Sequence, residues 1–441
     1  MDDPHVGGEA GGADAARADR EPATERPCLT PDELGESRRY SRQELVCTLL
    51  DMAIDVIYLG VMAFWGARSI DRALSLAPVL GEWAVLRLAC LFLIITALHY
   101  ACSFPLAVYS GFVLEHRFGL SRQSFGRWLS RYALRNLLAT GLGLVLMVGL
   151  FLLIWWAQAW WWLIAALAAF AVTIVLGQLV PVLILPLFYE IEKLEDQDLR
   201  ERLERLARGT SLSIEGVYRM KLSTETVKAN AMLAGLGRTR RVILGDTLLD
   251  NFDAREIEVV FAHEVAHHVY RHLAKLTLFG LVYAAVSFWV CDRILVAWVT
   301  AVAGSFQYPD CPVHALALIL FVITVLSLLV SPVRNGLSRR FESACDRYAL
   351  QVTGDVEAYR AAFTRLARLN KTDPHPHPLD VWLLHDHPPV AARLAPIEAR
   401  LAEIEARPVP ASADEARAHA EEIAATVIAL RAAAAQTELF A

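Results

Sequence analysis

The chain has 441 residues, 55% of them hydrophobic, and its mean hydropathy of +0.38 is too high for a soluble domain of this length. A net charge of −6, with the basic residues scattered among loops, excludes a nucleic-acid-binding role. Seven cysteines without CxxC spacing, several inside apolar runs, exclude a disulfide framework and read as small buried apolar residues.

Residues 1–38 are rich in Gly, Ala, Asp, Glu and Arg, so they are expected to be a disordered tail, because burial cannot repay the entropy of ordering them. They also lack the apolar core and small-residue cleavage site of a signal peptide, and the first apolar run is expected to be retained. Six such runs follow, at about 44–66, 84–111, 136–156, 160–188, 274–298 and 313–333. Each satisfies the requirement of about 20 apolar residues for a helix that spans a bilayer. The first four make an N-terminal membrane domain over 39–189. Between the third and fourth, Trp155, Trp156, Trp160, Trp161 and Trp162 flank Gln158, as expected of a tight turn at the membrane interface. Arg117, Arg122, Arg127, Arg131 and Arg135 crowd the loop between the second and third runs, whereas 157–159 and 299–312 hold no Lys or Arg. The excess of cationic residues in cytoplasmic loops then predicts a cytoplasmic N-terminus, 190–272 segment and C-terminal region, with Arg68 and Arg72 in dissent.

The polar segment 190–272 reads as helix, two strands, helix, the strands at 227–234 and 241–248 being joined by Gly235-Leu236-Gly237-Arg238 as a hairpin. A second domain extends over 190–395, interrupted by the runs at 274–298 and 313–333. Residues 396–441, rich in Ala, Glu and Arg, are expected to form a helical tail without chemistry.

Within the second domain, Glu256 to His268 has helical periodicity and contains His263-Glu264-Val265-Ala266-His267. Two histidines at i and i+4 share a helix face at a separation that suits one zinc ion, and Glu264, about 100° round from His263, can hold the attacking water. Zinc brings the pKa of such a water towards about 7, and a carboxylate beside it takes the proton. The pattern also arises by chance, but three ionisable groups on a helix adjoining a membrane span favour a metal. His268 and His272 fall outside the i, i+4 pair and read as structural or supporting groups.

Catalytic zinc usually takes three protein ligands. The HExxH pattern that continues to a third histidine needs a glycine and a histidine where this chain has Tyr270 and Leu273. A glutamate on a separate helix is the other common solution, and Ser338 to Asp346 (SRRFESACD) offers Glu342 with Asp346 one turn on. Glu342 can ligate while Asp346 accepts the free N–H of a ligand histidine. Read alone, the pair fits a solvated acidic face equally well.

With these residues in hand, the chain resembles the integral-membrane zinc peptidases that include the CAAX prenyl proteases and the HtpX proteases, and is more similar to the prenyl-protease branch. The resemblance runs over about 104–395. It is carried by Phe112 to Gly119 (FVLEHRFG), Pro186-Leu187-Phe188, Leu194-Glu195-Asp196, Asn230-Ala231 before Gly235-Leu236-Gly237, Arg241 to Leu244, Asp246 to Leu249, HEVAH, SRRFESACD and His387-Pro388. It implies a mainly α polytopic membrane protein of about six transmembrane helices with a cytoplasmic gluzincin-type α+β zinc peptidase domain. It further implies one Zn2+ per chain, held near the cytoplasmic membrane face by His263, His267 and Glu342, with Asp346 supporting a ligand histidine. The Asn230-Ala231 strand would bind a peptide or protein substrate as an added β-strand, the main chain giving affinity and pockets selectivity. His387, in the family's His-Pro context and followed by Arg393, is expected to stabilise the oxyanion, and Arg393 to contact substrate. Two departures stand out: relatives usually have seven spans where six are counted here, and Ala229 stands where a serine is common.

The expected activity is zinc-dependent endopeptidase cleavage of peptides or membrane-associated proteins at the cytoplasmic face, by a protein embedded in the lipid bilayer. Membrane-protein quality control in the manner of HtpX is the alternative, and a catalytically silent scaffold a third. The Ala- and Arg-rich composition fits a bacterial source, in which prenylated CAAX substrates are not expected. Asp51 and Asp55 read as the interfacial start of the first span and His99 as a hydrogen-bonded core histidine. His375 and His377 lie in a proline-broken extended segment and carry no expected role.

Overall fold

The computed structural model describes residues 28–208, 214–234 and 240–405. The rest of both expected tails, and the Gly235 to Arg238 connection, lie outside them.

Helix α1 (Pro31–Ser75) starts inside the stretch expected to be disordered. Thr30 and Glu33 form a capping box: the Thr30 hydroxyl accepts from the Glu33 amide at 3.3 Å, and Glu33 accepts from the Thr30 amide at 2.8 Å. Two otherwise orphan donors are thereby satisfied. Arg368 and Lys371 pair with Glu33 and Glu36, so ionic contacts, and not apolar burial, order this turn.

α2 (Ala84–Arg117), α3 (Phe125–Ala157) and α4 (Trp161–Leu179) complete the N-terminal helices. α3 and α4 belong to one apolar stretch, Phe125–Phe188, which folds back through the 3-10 turn Gln158–Trp160, where Gln158 adopts φ 50°. With α8 (His272–Ala303) and α9 (Ala315–Thr353), the described residues make six apolar passages, as the sequence predicts. Leu88, Phe151, Ile154, Trp161 and Leu316 close the helix core. Val145, Val282, Val286 and Leu329 stand exposed on its outside, an apolar surface that calls for lipid.

The first helices also wall a cavity of about 830 Å³. Asp51, Asp55 and His99 line it, together with Arg131 and Arg135, and His99 Nε2 lies 2.8 Å from Asp55 Oδ1. The two aspartates are therefore chamber-lining groups well inside α1 and not the interfacial helix start that the sequence suggests; their shared helix face turns inward.

The polar segment forms β1 (Ile191–Lys193), α5 (Gln197–Arg208), β2 (Ile214–Met220), β3 (Ala231–Ala234) and β4 (Arg240–Gly245), in a sheet of order β1-β2-β4-β3. The expected hairpin is present, with Ala231 opposite Leu244 and Ala234 opposite Arg241. β3 is shorter than expected because Val227 bonds instead to Leu120 (N to O, 3.1 Å) and Ala229 is engaged by Asn370. The sequence gives no sign of β1, a three-residue strand, or of β2, where Glu215, Gly216 and Arg219 break the alternation. Leu203, Val242, Leu244 and Phe261 form the core beneath the sheet.

After β4 come α6 (Asp246–Asn251) and α7 (Ala254–Val269), and after the α8 and α9 passages come α10 (Val356–Asn370), α11 (Pro378–Leu384) and α12 (Val390–Glu405). Buried Glu225 accepts hydrogen bonds from Arg127 (3.1 Å) and Arg131, joining the connection between β2 and β3 to α3.

Candidate active site

Helix α7 opens with a second capping box, Asp253 with Glu256, both bonds at 2.9 Å. Val259, Phe261, Ala262, Val265 and Ala266 are buried on its several faces, so it is a central helix packed against α9 and α10. That packing fixes the rotation of α7 and hence the direction of His263, Glu264 and His267. The helix ends where Arg271 enters the left-handed region at φ 54°, and α8 begins at the next residue.

α9 is a single helix whose far end reaches past the apolar run to face α7. Glu342 Oε2 lies 3.1 Å from His263 Nε2, and Glu342 Oε1 lies 3.3 Å from His267 Nε2. Donors placed tetrahedrally at 2.0–2.1 Å around a zinc ion are about 3.3 Å apart. Two imidazole nitrogens and a carboxylate oxygen at these spacings fit zinc in donor type and in separation.

The other ring nitrogen of His263 is also occupied. Nδ1 lies 3.0 Å from Asp346 Oδ1, and Arg393 grips the same carboxylate with two nitrogens, Nε reaching Oδ2 at 2.9 Å. The Arg393 guanidinium stacks 3.9 Å over Phe363. Burial opposes a charge on His263, but the hydrogen bonds to Asp346 and Glu342 outweigh it and push the imidazole up to about 9. Such a site attracts a cation. Burial pushes the Glu264 carboxyl above the usual range, with His263 and His267 opposing, which moves it towards the range useful for a general base.

Donor atoms of His263, His267 and Cys345 also lie within 4.8 Å of one another. The buried Cys345 thiol, however, is 3.6 Å from His272 Nδ1, which is itself 3.3 Å from His267 Nδ1. The thiol is thus engaged by His272, while the carboxylate of Glu342 faces His267 Nε2.

A groove of about 460 Å³ leads to this cluster, lined by Asn230, Ala231, His263, Glu264, His387 and Arg393. His387 Nε2 is 3.5 Å from Glu342 Oε2, and its Nδ1 is 2.7 Å from Asp386 Oδ1. The structure thus gathers the residues expected to form the site: Asn230, Ala231, His263, Glu264, His267, Glu342, Asp346, His387 and Arg393. Arg393, expected to contact substrate, lines the groove but commits its guanidinium to Asp346. His377 serves instead as the N-cap of α11, its Nδ1 accepting from the Leu379 amide at 3.2 Å.

Sequence reading missed three supporting residues. Arg339 donates to the carbonyls of Val381 (2.8 Å) and His385 (2.6 Å), and Asn335 to that of Leu383 (2.8 Å), so α9 holds the segment that carries His387. Asn335, Arg339, Glu342 and Asp346 are spaced four, three and four residues apart, one stripe of a helix, and that spacing was the available signal. Asn370 donates to the Ala229 carbonyl (3.3 Å) and accepts from its amide (3.0 Å), which no local pattern announces.

Residues 193–401 match the family model of peptidase family M48, and residues 14–190 that of the CAAX prenyl protease N-terminal region, described as five membrane helices. The described residues hold four long apolar helices in that region. The CAAX prenyl protease 1 homolog of Arabidopsis thaliana is 27% identical over 379 residues, 83% of this chain and 87% of that protein. CAAX prenyl protease 1 of Saccharomyces cerevisiae is 26% identical over 324 residues, 69% of this chain and 70% of that protein. The uncharacterized metalloprotease YhfN of Bacillus subtilis is 28% identical over 241 residues, and there the match spans only 55% of the relative's length. The crystal structure of S. mikatae Ste24p has the same fold, with a TM-score of 0.72 at 22% identity over 87% of this chain and 92% of that one. Two family models in succession and relatives matched along most of their length agree with the paired histidines and glutamate: residues 193–401 are a zinc metallopeptidase domain of family M48, preceded over 14–190 by a CAAX prenyl protease N-terminal membrane region.

Proposed function

We propose that the chain is an endopeptidase that holds one zinc ion with His263, His267 and Glu342 and cleaves peptides or membrane-associated proteins at the cytoplasmic face. The observation that carries this reading is the single carboxylate of Glu342 turned to both Nε2 atoms. When bound, zinc supplies the Lewis acidity that makes water nucleophilic near neutral pH. Glu264 takes the proton of the attacking water and delivers it to the leaving amine. His387, held by Asp386, donates from Nε2 to the oxyanion that develops on the carbonyl. Asp346 fixes the tautomer of His263, and Arg393 fixes Asp346.

The substrate docks in extended form along β3, which ends the strand order among the described residues. Asn370 already occupies both main-chain groups of Ala229, as a strand residue would, and the Asn230 carbonyl accepts from Gly245 of β4 (2.9 Å), so the free edge starts at Ala231 beside the groove. The arginines around the α2–α3 connection, Arg117, Arg122, Arg127, Arg131 and Arg135, support the cytoplasmic orientation. The relatives' names raise a CAAX segment as one substrate, but the composition fits a bacterial source, and the reading here is of a polypeptide substrate without a required prenyl group.

Glu264→Gln tests the assignment. It keeps all three ligands and removes the base, so the purified variant should hold zinc yet lose at least ~10²-fold in peptidase turnover. A zinc-loaded variant with full activity would overturn the role of Glu264.

A further inference from the structure

The two histidines of the cluster are supported differently. His263 hands its Nδ1 to a carboxylate, Asp346. Among the described residues His267 meets a histidine there and not a carboxylate; its Nδ1 faces His272 Nδ1 at 3.3 Å. His272 is 3% exposed and lies flat against Phe341, the residue before Glu342, with ring centroids 4.1 Å apart and planes within 8°. The Cys345 thiol approaches the same nitrogen at 3.6 Å. Two nitrogens facing each other at that distance need one proton between them. Where His267 offers its Nε2 lone pair to a metal, its proton is on Nδ1, so the acceptor must be His272 with its own proton on Nε2.

We infer that His272 is a positioning residue for His267, a neutral counterpart of Asp346, which accepts the Nδ1 proton of His267 and so aims its Nε2 lone pair at the metal. The inference rests on the reading of His267 as a zinc ligand. The sharp turn at Arg271 places His272 back against α7, and the stack on Phe341 fixes the ring, so the acceptor is held by both α8 and α9. A purely structural buried histidine would need only the ring's shape; a positioning residue needs its acceptor nitrogen as well.

The experiment compares His272→Phe, which retains the stack but has no acceptor, with His272→Asn, which places an amide oxygen where Nδ1 stood. The zinc dissociation constant is measured by chelator competition on the full-length protein in detergent, with His267→Ala alongside. His272→Phe should bind zinc about 10- to 100-fold more weakly, the usual effect of removing such a partner, and His272→Asn should recover most of the loss. Wild-type affinity in His272→Phe, or equal losses in the Phe and Asn variants, would overturn the inference alone. A His267→Ala protein that keeps stoichiometric zinc would overturn the ligand assignment with it. Should the Phe variant fail to fold, ¹⁵N NMR of histidine-labelled, zinc-loaded wild-type protein still decides: the expected result is an unprotonated Nδ1 on His272, and a protonated one refutes the role.

Discussion

His263 and His387 both face Glu342, at 3.1 and 3.5 Å, yet the regions that carry them are built in opposite ways. The His263 side chain is 8% exposed, sits on a central helix, and has both ring nitrogens engaged by carboxylates of α9. That of His387 is 58% exposed and stands on the short segment between α11 and α12, held from below through carbonyl groups. A group fixed on all sides is suited to keep an ion in place, and one anchored through its backbone beside an open groove is suited to meet a substrate. The comparison teaches that substitutions should separate into those that change metal content and those that change turnover with the metal still present.

The largest effect should come from the helix wall. Glu342→Ala removes the carboxylate shared by both histidines, so the protein should purify without zinc and without activity; metal analysis after gel filtration checks this, and stoichiometric zinc would mean that the third ligand lies elsewhere. His387→Ala should leave zinc in place and lower kcat by about 10²- to 10³-fold, the usual loss for one oxyanion donor. His375→Ala and His377→Ala should do neither, and equal small effects from all three substitutions would erase the distinction between the histidines. Asp346→Ala should weaken zinc binding by about 10- to 100-fold in a chelator competition, since His263 loses the acceptor that orients it; unchanged affinity would detach Asp346 from the metal wall. The smallest effect should come from Arg339→Ala, which sits on the wall helix but acts on the loop. It removes two charge-assisted hydrogen bonds, each worth about 1.5–3 kcal/mol. Turnover should fall by less than in His387→Ala while zinc content stays unchanged, and loss of zinc would place Arg339 on the wrong side of the division.

What the sequence made legible followed from range along the chain. HExxH is a local pattern, and its helix and metal geometry follow from spacing alone. Glu342 meets His263 across 79 residues, so no spacing could pair them, and only resemblance to a known family singled out Glu342 over an ordinary acidic face. The six apolar passages were readable because length and composition suffice to mark them. β1 and β2 were not, since their strand character comes from pairing with distant segments and not from their own alternation. The start of α1 was missed although Thr30 and Glu33 have capping-box spacing, because the surrounding composition outweighed a two-residue signal. Asp51 and Asp55 were misread because a chamber wall and an interfacial helix start have the same composition, and only the packing of helices against one another separates them; His99 is hydrogen-bonded as expected, but beside the chamber.

The order of the cluster along the chain carries one more consequence, for biosynthesis. His263 and His267 leave the ribosome before α8 and the apolar half of α9, and Glu342 follows both. The proposed metal cluster therefore cannot assemble in a nascent chain that has yet to make both of these apolar passages, and any continuous piece with all three groups also carries α8 and the apolar half of α9. His387 and Arg393 follow later still, so the wall that would hold the metal is made before the segment that would meet the substrate.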